Sequence, residues 1–166
     1  MKGQSEIIVY ILLFLIGLSL FMASVVWSRG IFDRNSDMAK LSEVESFMTG
    51  LDNKIQNVIK FGGQDSIDFR IRGTIELNEP DTIEIRSPLT VQIPEEVNIT
   101  SSYATITERL EGNLLRVKLT YPVKEYGVDF YTEGPTIATP QKVLIEKGDT
   151  YESGGILYIK VKITFK

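Results

Sequence analysis

Ile7–Ser28 reads IIVYILLFLIGLSLFMASVVWS, 22 residues without a charged side chain. As a helix rising about 1.5 Å per residue it spans roughly 33 Å, against a bilayer hydrocarbon core of about 30 Å. Only a helix closes its own backbone hydrogen bonds in lipid, so the many Ile and Val residues do not argue for a strand here. Trp27 and Arg29 fall where an interfacial aromatic ring and a snorkelling cation mark the end of a membrane span. A cleaved secretory signal fits poorly, because its apolar region is about 7–15 residues long and closes on a small-x-small site, whereas this one runs through Met22 and Val26 to a Trp.

Outward on the N-terminal side the chain is Met1-Lys2-Gly3-Gln4-Ser5-Glu6, joined directly to Ile7. A carboxylate at the edge of lipid is costly unless paired, so Glu6 demands a partner. Residues 2–28 resemble the archaeal type IV pilin-like proteins, whose class III signal peptide reads basic residue, Gly, Gln, small residue, Glu and then an apolar helix. The resemblance implies cleavage by a prepilin peptidase between Gly3 and Gln4, retention of the apolar helix, and pairing of Glu6 with the terminal amine of a neighbouring filament subunit. It also implies a cell-membrane and surface location with the C-terminal domain outside. The charge distribution, Lys2 and the amino terminus against Arg29, Arg34 and Lys40, favours the opposite orientation; the leader motif is the more specific signal and sets the expectation.

Outward on the other side, Arg29 to Asp37 is a polar segment with Gly30 and a natural cap pair, Asn35 and Ser36, which predicts a hinge over residues 29–37. Asp33, Asn35 and Asp37 match the first three ligand positions of a calcium loop. The sixth position is Met38 and the twelfth Val44, so the match fails and no metal site is expected. From Met38 to Phe61 the apolar residues Leu41, Val44, Met48, Leu51, Ile55 and Val58 recur at alternating spacings of three and four, the signature of a second, amphipathic helix over residues 38–63 closed by Gly62-Gly63. Phe47 and Ile59 widen the stripe beyond a coiled-coil seam, which suits packing on a globular domain.

Beyond Gln64 the period falls to two. Ile67, Phe69 and Ile71, then Ile83 and Ile85, then Leu89, Val91 and Ile93 alternate with polar residues. Ala104–Thr107 leads through Glu111-Gly112-Asn113 to Leu115–Leu119, a hairpin by its turn residues. Val143–Glu146, a Lys147-Gly148-Asp149 turn and a Ser153-Gly154-Gly155 turn precede a last strand with Leu157, Ile159, Val161, Ile163 and Phe165 on one face. The expected fold is α+β: an N-terminal transmembrane helix (leader 1–3, span 4–28), an amphipathic helix, and an antiparallel β-sandwich of eight or nine strands over residues 64–166.

Function classes narrow by composition. The chain has 18 basic and 22 acidic residues for a net charge of −4, and no basic run, so it offers no electrostatic footprint for nucleic acid. It has no Cys and no His, which removes disulfides, thiol nucleophiles, the commonest general base and the commonest transition-metal ligands. No cofactor and no small-molecule substrate is expected. The candidate carboxylate sites for an enzyme are Glu95-Glu96, which as strand neighbours point to opposite faces, and Asp65/Asp68. Asn98-Ile99-Thr100 is an N-glycosylation acceptor triplet. The reading is a non-enzymatic subunit of a pilus-like filament, with the membrane, like subunits and a prepilin peptidase as partners. Its rival is an uncleaved anchored binding module, similar in layout to the archaellum stator proteins.

Overall fold

The computed structural model describes residues 2–78, 80–89, 97–100 and 103–166, without the side chains of residues 2–6, 97 and 100. It contains one helix, α1 (Lys2–Phe61), followed by ten strands among the described residues: β1 (Gln64–Asp68), β2 (Thr74–Asn78), β3 (Thr82–Pro88), β4 (Val97–Thr100), β5 (Thr105–Glu111), β6 (Leu114–Thr120), β7 (Gly127–Tyr131), β8 (Ile137–Ala138), β9 (Lys142–Ser153) and β10 (Ile156–Phe165). The fold is α+β. The chain divides into two compact units, Met1–Met38 and Ala39–Lys166.

The first unit is helix alone. From Ile7 to Trp27 its large apolar side chains are exposed, from 41% at Leu18 to 72% at Val26 and Trp27, except the half-buried Val25. Ser19 and Ser24 donate their hydroxyls to the carbonyls of Leu15 and Leu20, at 2.8 and 2.9 Å. Each hydroxyl is thereby satisfied within the helix, as a lipid-facing serine requires. The predicted hinge over 29–37 is not a break: Asn35 and Ser36 are interior positions of α1 rather than caps, and the helix runs unbroken through Gly30. A glycine costs on the order of 1 kcal/mol inside a helix, and strong helical segments on both sides outweigh it because propagation is easy once a helix has nucleated.

In the second unit the rest of α1 joins two sheets around one core. Leu41, Val44, Phe47, Met48, Leu51, Ile55, Val58 and Ile59 are buried, the stripe expected from the sequence. Gly50 lies where a Cβ would stand 3.2 Å from Ile67 Cδ1, so its smallness admits the β1 side chain. The helix ends at Gly62 and Gly63, both with positive φ (76° and 82°), a region open to glycine and costly for other residues. Lys147 Nζ donates to the Ile59 carbonyl at 2.7 Å and satisfies one of the acceptors orphaned at the helix end.

The sheets have strand orders β1-β9-β10-β7 and β4-β5-β6-β3-β2-β8. The inner faces, including Ile75, Ile83, Ile85, Val117 and Leu119 from one sheet and Phe130, Val143, Ile145, Val161 and Ile163 from the other, share the core with α1. Three details differ from expectation. All described strand pairs are antiparallel except β7 with β10, which are parallel with Phe130 opposite Val161. The Lys147-Gly148-Asp149 segment is no turn: β9 continues through it, and Gly148 and Asp149 bulge where the pairing passes from Thr150–Ile159 to Lys147–Val161. Phe69 and Ile71 are buried in the connection after β1 rather than in a strand. The strand predicted around Val91 and Ile93 lies outside the described residues.

Candidate functional site

The residues singled out by sequence are distributed as follows. Gly3, Gln4 and Glu6 fall in the first turns of α1, and their side chains lie outside those described. Asn98 is exposed on β4, and its Oδ1 accepts a hydrogen bond of 2.9 Å from the Thr107 hydroxyl of β5. Asp65 is held by Lys54 at 2.7 Å, and that hydrogen bond with the backbone N–H of Ser66 keeps its carboxyl below the ordinary carboxylate range. Asp68 faces Arg70 at 3.5 Å and Lys142 at 3.9 Å. Each aspartate therefore has a cation of its own, and the two form no shared acid–base site. Glu95 and Glu96 lie outside the described residues. Asp37 is buried whereas Asp33 and Asn35 are exposed on a continuous helix, so they make no loop. Among the described residues no group of three or more acidic side chains is placed to hold a metal ion.

Three polar clusters were not singled out from sequence. The first lies on the face of β3 opposite the core. Glu84 alternates with Ile83 and Ile85 as expected but is only 2% exposed. Arg86 Nε donates to its Oε1 at 2.7 Å, Arg116 Nε stands 3.8 Å from the same oxygen, and Lys118 Nζ stands 3.8 Å from Oε2. The arginines in turn reach Glu76 (2.5 Å) and Glu111 (3.0 Å). Long cationic stems lying across the sheet bury the carboxylate and neutralise it, a structural lattice.

The second cluster is a carboxyl pair. Glu108 sits on the core side of β5 between Ile106 and Leu110, a position the two-residue alternation reserves for an apolar side chain, and is 4% exposed. Burial first, then the neighbouring Glu45 of α1, push its carboxyl up to about 7. Burial in an apolar setting beside another carboxyl favours the protonated form of Glu108.

The third cluster runs along α1 at Asp52, Gln56 and Lys60, one residue per turn beside the apolar stripe. The buried Tyr121 hydroxyl donates to Asp52, and burial together with that carboxylate holds the phenol well above its ordinary range, so it remains a donor. The Tyr126 hydroxyl donates to Gln56 Oε1 at 3.3 Å. Lys60 Nζ lies 4.9 Å from the centre of the Tyr103 ring, which stacks on Tyr126 at 5.9 Å. Tyr103, Tyr121, Pro122, Lys124, Glu125, Tyr126 and Val128 line a cavity of about 230 Å³ beside this network. A buried Asp and Gln on an otherwise apolar face are the signal that sequence reasoning passed over.

Among the described residues one helix is long and apolar enough to cross a membrane. The architecture is a long N-terminal helix followed in the chain by a β-sandwich-like domain. No family model matches it, and no curated protein or solved structure does either.

Proposed function

We propose that the protein is a non-enzymatic subunit of an archaeal type IV pilus-like surface filament, inserted in the membrane by the first part of α1 and assembled by bundling of that helix with its like. The observation that carries this reading is the run Ile7–Trp27, whose large apolar side chains, Val25 apart, are exposed while its serine hydroxyls are satisfied within the helix. A surface of that extent demands lipid or other apolar helices. The Lys2-Gly3-Gln4-Ser5-Glu6 motif selects the filament over a plain anchor, since an anchor needs neither a cleavage site nor a carboxylate at the lipid edge. The β-domain is carried on the outer surface, where Asn98 is accessible as a glycan acceptor.

Intact mass from native membranes tests the reading. The expected wild-type species lacks Met1–Gly3, and Gly3→Val stays uncut. Glu6→Ala is expected to insert normally and to be depleted from sheared surface filaments. Identical uncut masses for wild type and Gly3→Val would replace the filament subunit by the anchored binding module.

A further inference from the structure

The ion-pair lattice around Glu84 is unevenly built. Strand register sets three arginines side by side on one face, Arg109 opposite Arg116 and Arg116 opposite Arg86. Like charges directly opposite across strands repel, so each of them demands an anion nearby. On the β2–β3 side that demand is met, since Arg86 reaches Glu84 at 2.7 Å and Glu76 at 2.5 Å. On the β5–β6 side it is met only in part. Glu111 bonds Arg116 at 3.0 Å but stands 3.8 Å from Arg109, and Lys118 Nζ stands 3.8 Å from Glu84; neither of these longer distances is a hydrogen bond. The Nε of Arg116 is buried and, among the described residues, has no hydrogen-bond partner. Over the lattice as a whole Arg86, Arg109, Arg116 and Lys118 outnumber Glu76, Glu84 and Glu111 by one. The surplus falls where Arg109, Arg116 and Lys118 line a recess of about 100 Å³ with Glu111 and Thr107. The Thr107 hydroxyl donates elsewhere, to Asn98.

We infer that this recess binds a phosphoryl oxyanion, either free phosphate or the phosphate monoester of a larger molecule, with Arg109, Arg116 and Lys118 as its cations. The sign of the ligand follows from the lining, three cations against one carboxylate. Its shape follows from their number. A phosphoryl group presents three strong acceptor oxygens and meets all three side chains at once, whereas a carboxylate has two oxygens and leaves one cation unanswered. Its size follows from the volume, which is that of about three waters at roughly 30 Å³ each, so a phosphoryl group fits and any ring attached to it stays outside. One recess of this kind is not the extended basic stripe that follows a nucleic-acid backbone. The site lies wholly within the second unit, so it is independent of whether the first unit assembles into a filament.

The test is phosphorus NMR line broadening with the full chain in maltoside micelles, which carry no phosphate of their own, at low ionic strength. Inorganic phosphate, methyl phosphate and dimethyl phosphate are the probes, and acetate is the competitor. Inorganic phosphate or methyl phosphate is expected to bind with a Kd of about 1–10 mM, as suits a small ligand with few contacts. Tighter binding of methyl phosphate identifies an ester as the natural source, and tighter binding of inorganic phosphate the free ion. Dimethyl phosphate, with one fewer free oxygen, is expected to bind at least about fivefold more weakly. Arg109→Gln and Lys118→Gln, at side chains 64% and 47% exposed, are each expected to weaken binding at least about fivefold. Arg70→Gln removes an exposed cation elsewhere on the domain and is expected to leave binding within about twofold. The inference is overturned if neither inorganic phosphate nor methyl phosphate is broadened at about 50 mM, if acetate displaces them at equal concentration, if the recess variants bind as wild type does, or if Arg70→Gln weakens binding as much as they do.

Discussion

The two parts of α1 are made of similar residues and do opposite things. Ile7–Trp27 carries no charge on any side, and its large side chains are exposed save for the half-buried Val25; from Leu41 to Ile59 the apolar residues keep to one stripe, and that stripe is buried. Local propensity does not separate them, since the helix is continuous across both. The distribution of charge around the axis does. A helix with one polar face is told which way to turn by water, whereas a helix without one takes its surroundings from lipid or from its neighbours.

The sharpest way to break this comparison is truncation at matched positions. Leu51→Ala, at a fully buried site, is expected to lower the unfolding free energy of the β-domain by about 2–5 kcal/mol. Leu13→Ala, at a site 58% exposed, is expected to change it by less than about 0.5 kcal/mol. Urea unfolding of the full chain in micelles, followed by the near-ultraviolet signal of the domain's tyrosines, measures both. Equal effects would mean that the two parts of the helix are not energetically separate.

A smaller effect concerns the carboxyl within the buried stripe's surroundings. Glu108 titrates at about 7 in the folded protein against an ordinary 4.5, so the folded state holds its proton more tightly than the unfolded chain does. Its favourable contribution is complete below pH 4.5 and is lost as the pH rises to about 7. Glu45 faces it from α1, and Val117 stands opposite it on β6. Glu108→Gln should therefore be more stable than wild type at pH 8, by about 1–2 kcal/mol, and the difference should shrink toward pH 4.5. Asp65, with its lowered pKa, contributes the opposite slope in both proteins and cancels in the comparison. A pH-independent difference between the two would remove the account of a raised Glu108 carboxyl.

The smallest expected effect is at Gly30. Nothing lies within 4 Å of where its Cβ would be, so Gly30→Ala should strengthen the helix locally by about 0.5–1 kcal/mol and leave the melting of the β-domain unchanged. Amide hydrogen exchange across residues 29–37 reads the change. Faster exchange in the alanine variant would show that the glycine serves the helix after all.

Much of the fold was legible because hydrophobic period is a strong signal. The stripe from Leu41 to Ile59, the Thr105–Thr120 hairpin and the alternation of β10 from Ile159 to Ile163 were readable, whereas Leu157, expected on the same apolar face, is exposed. The misread features are those where a local signal was overruled from a distance. Asn35 and Ser36 have cap chemistry but no free helix end to cap. Gly148-Asp149 has turn chemistry, yet β9 stays paired with β10 on either side of it, and the extra residue is absorbed as a bulge. The polar clusters were illegible for a different reason. Glu84 sits where alternation calls for an exposed residue and is buried by arginine stems from its own and a neighbouring strand, and Glu108 sits where alternation calls for an apolar one. Asp52 and Gln56 look like the solvated edge of an amphipathic helix until the loop carrying Tyr121 and Tyr126 closes over them.

The order of strands in the smaller sheet has a consequence in time. β1 follows α1 after two glycines, but its partner is β9, so Gln64 must find Glu146 before that edge of the sheet exists. Pairings so distant along the chain are reached slowly, because the entropy of closing the loop is spent before any contact repays it. A helix turn forms within about a microsecond, whereas domains dominated by distant strand pairs take milliseconds to seconds. During that interval Leu41, Val44, Met48, Leu51 and Ile55 form an apolar stripe with no cover, on a nascent chain whose neighbouring segment is equally apolar. Lys147 reaches the Ile59 carbonyl only once β9 has docked, so that acceptor lacks its ammonium partner during the same interval. The chain therefore has a window in which a chaperone or a wrong neighbour can take the place reserved for β9 and β10, and the length of that window is set by sheet topology rather than by the stability of the finished domain.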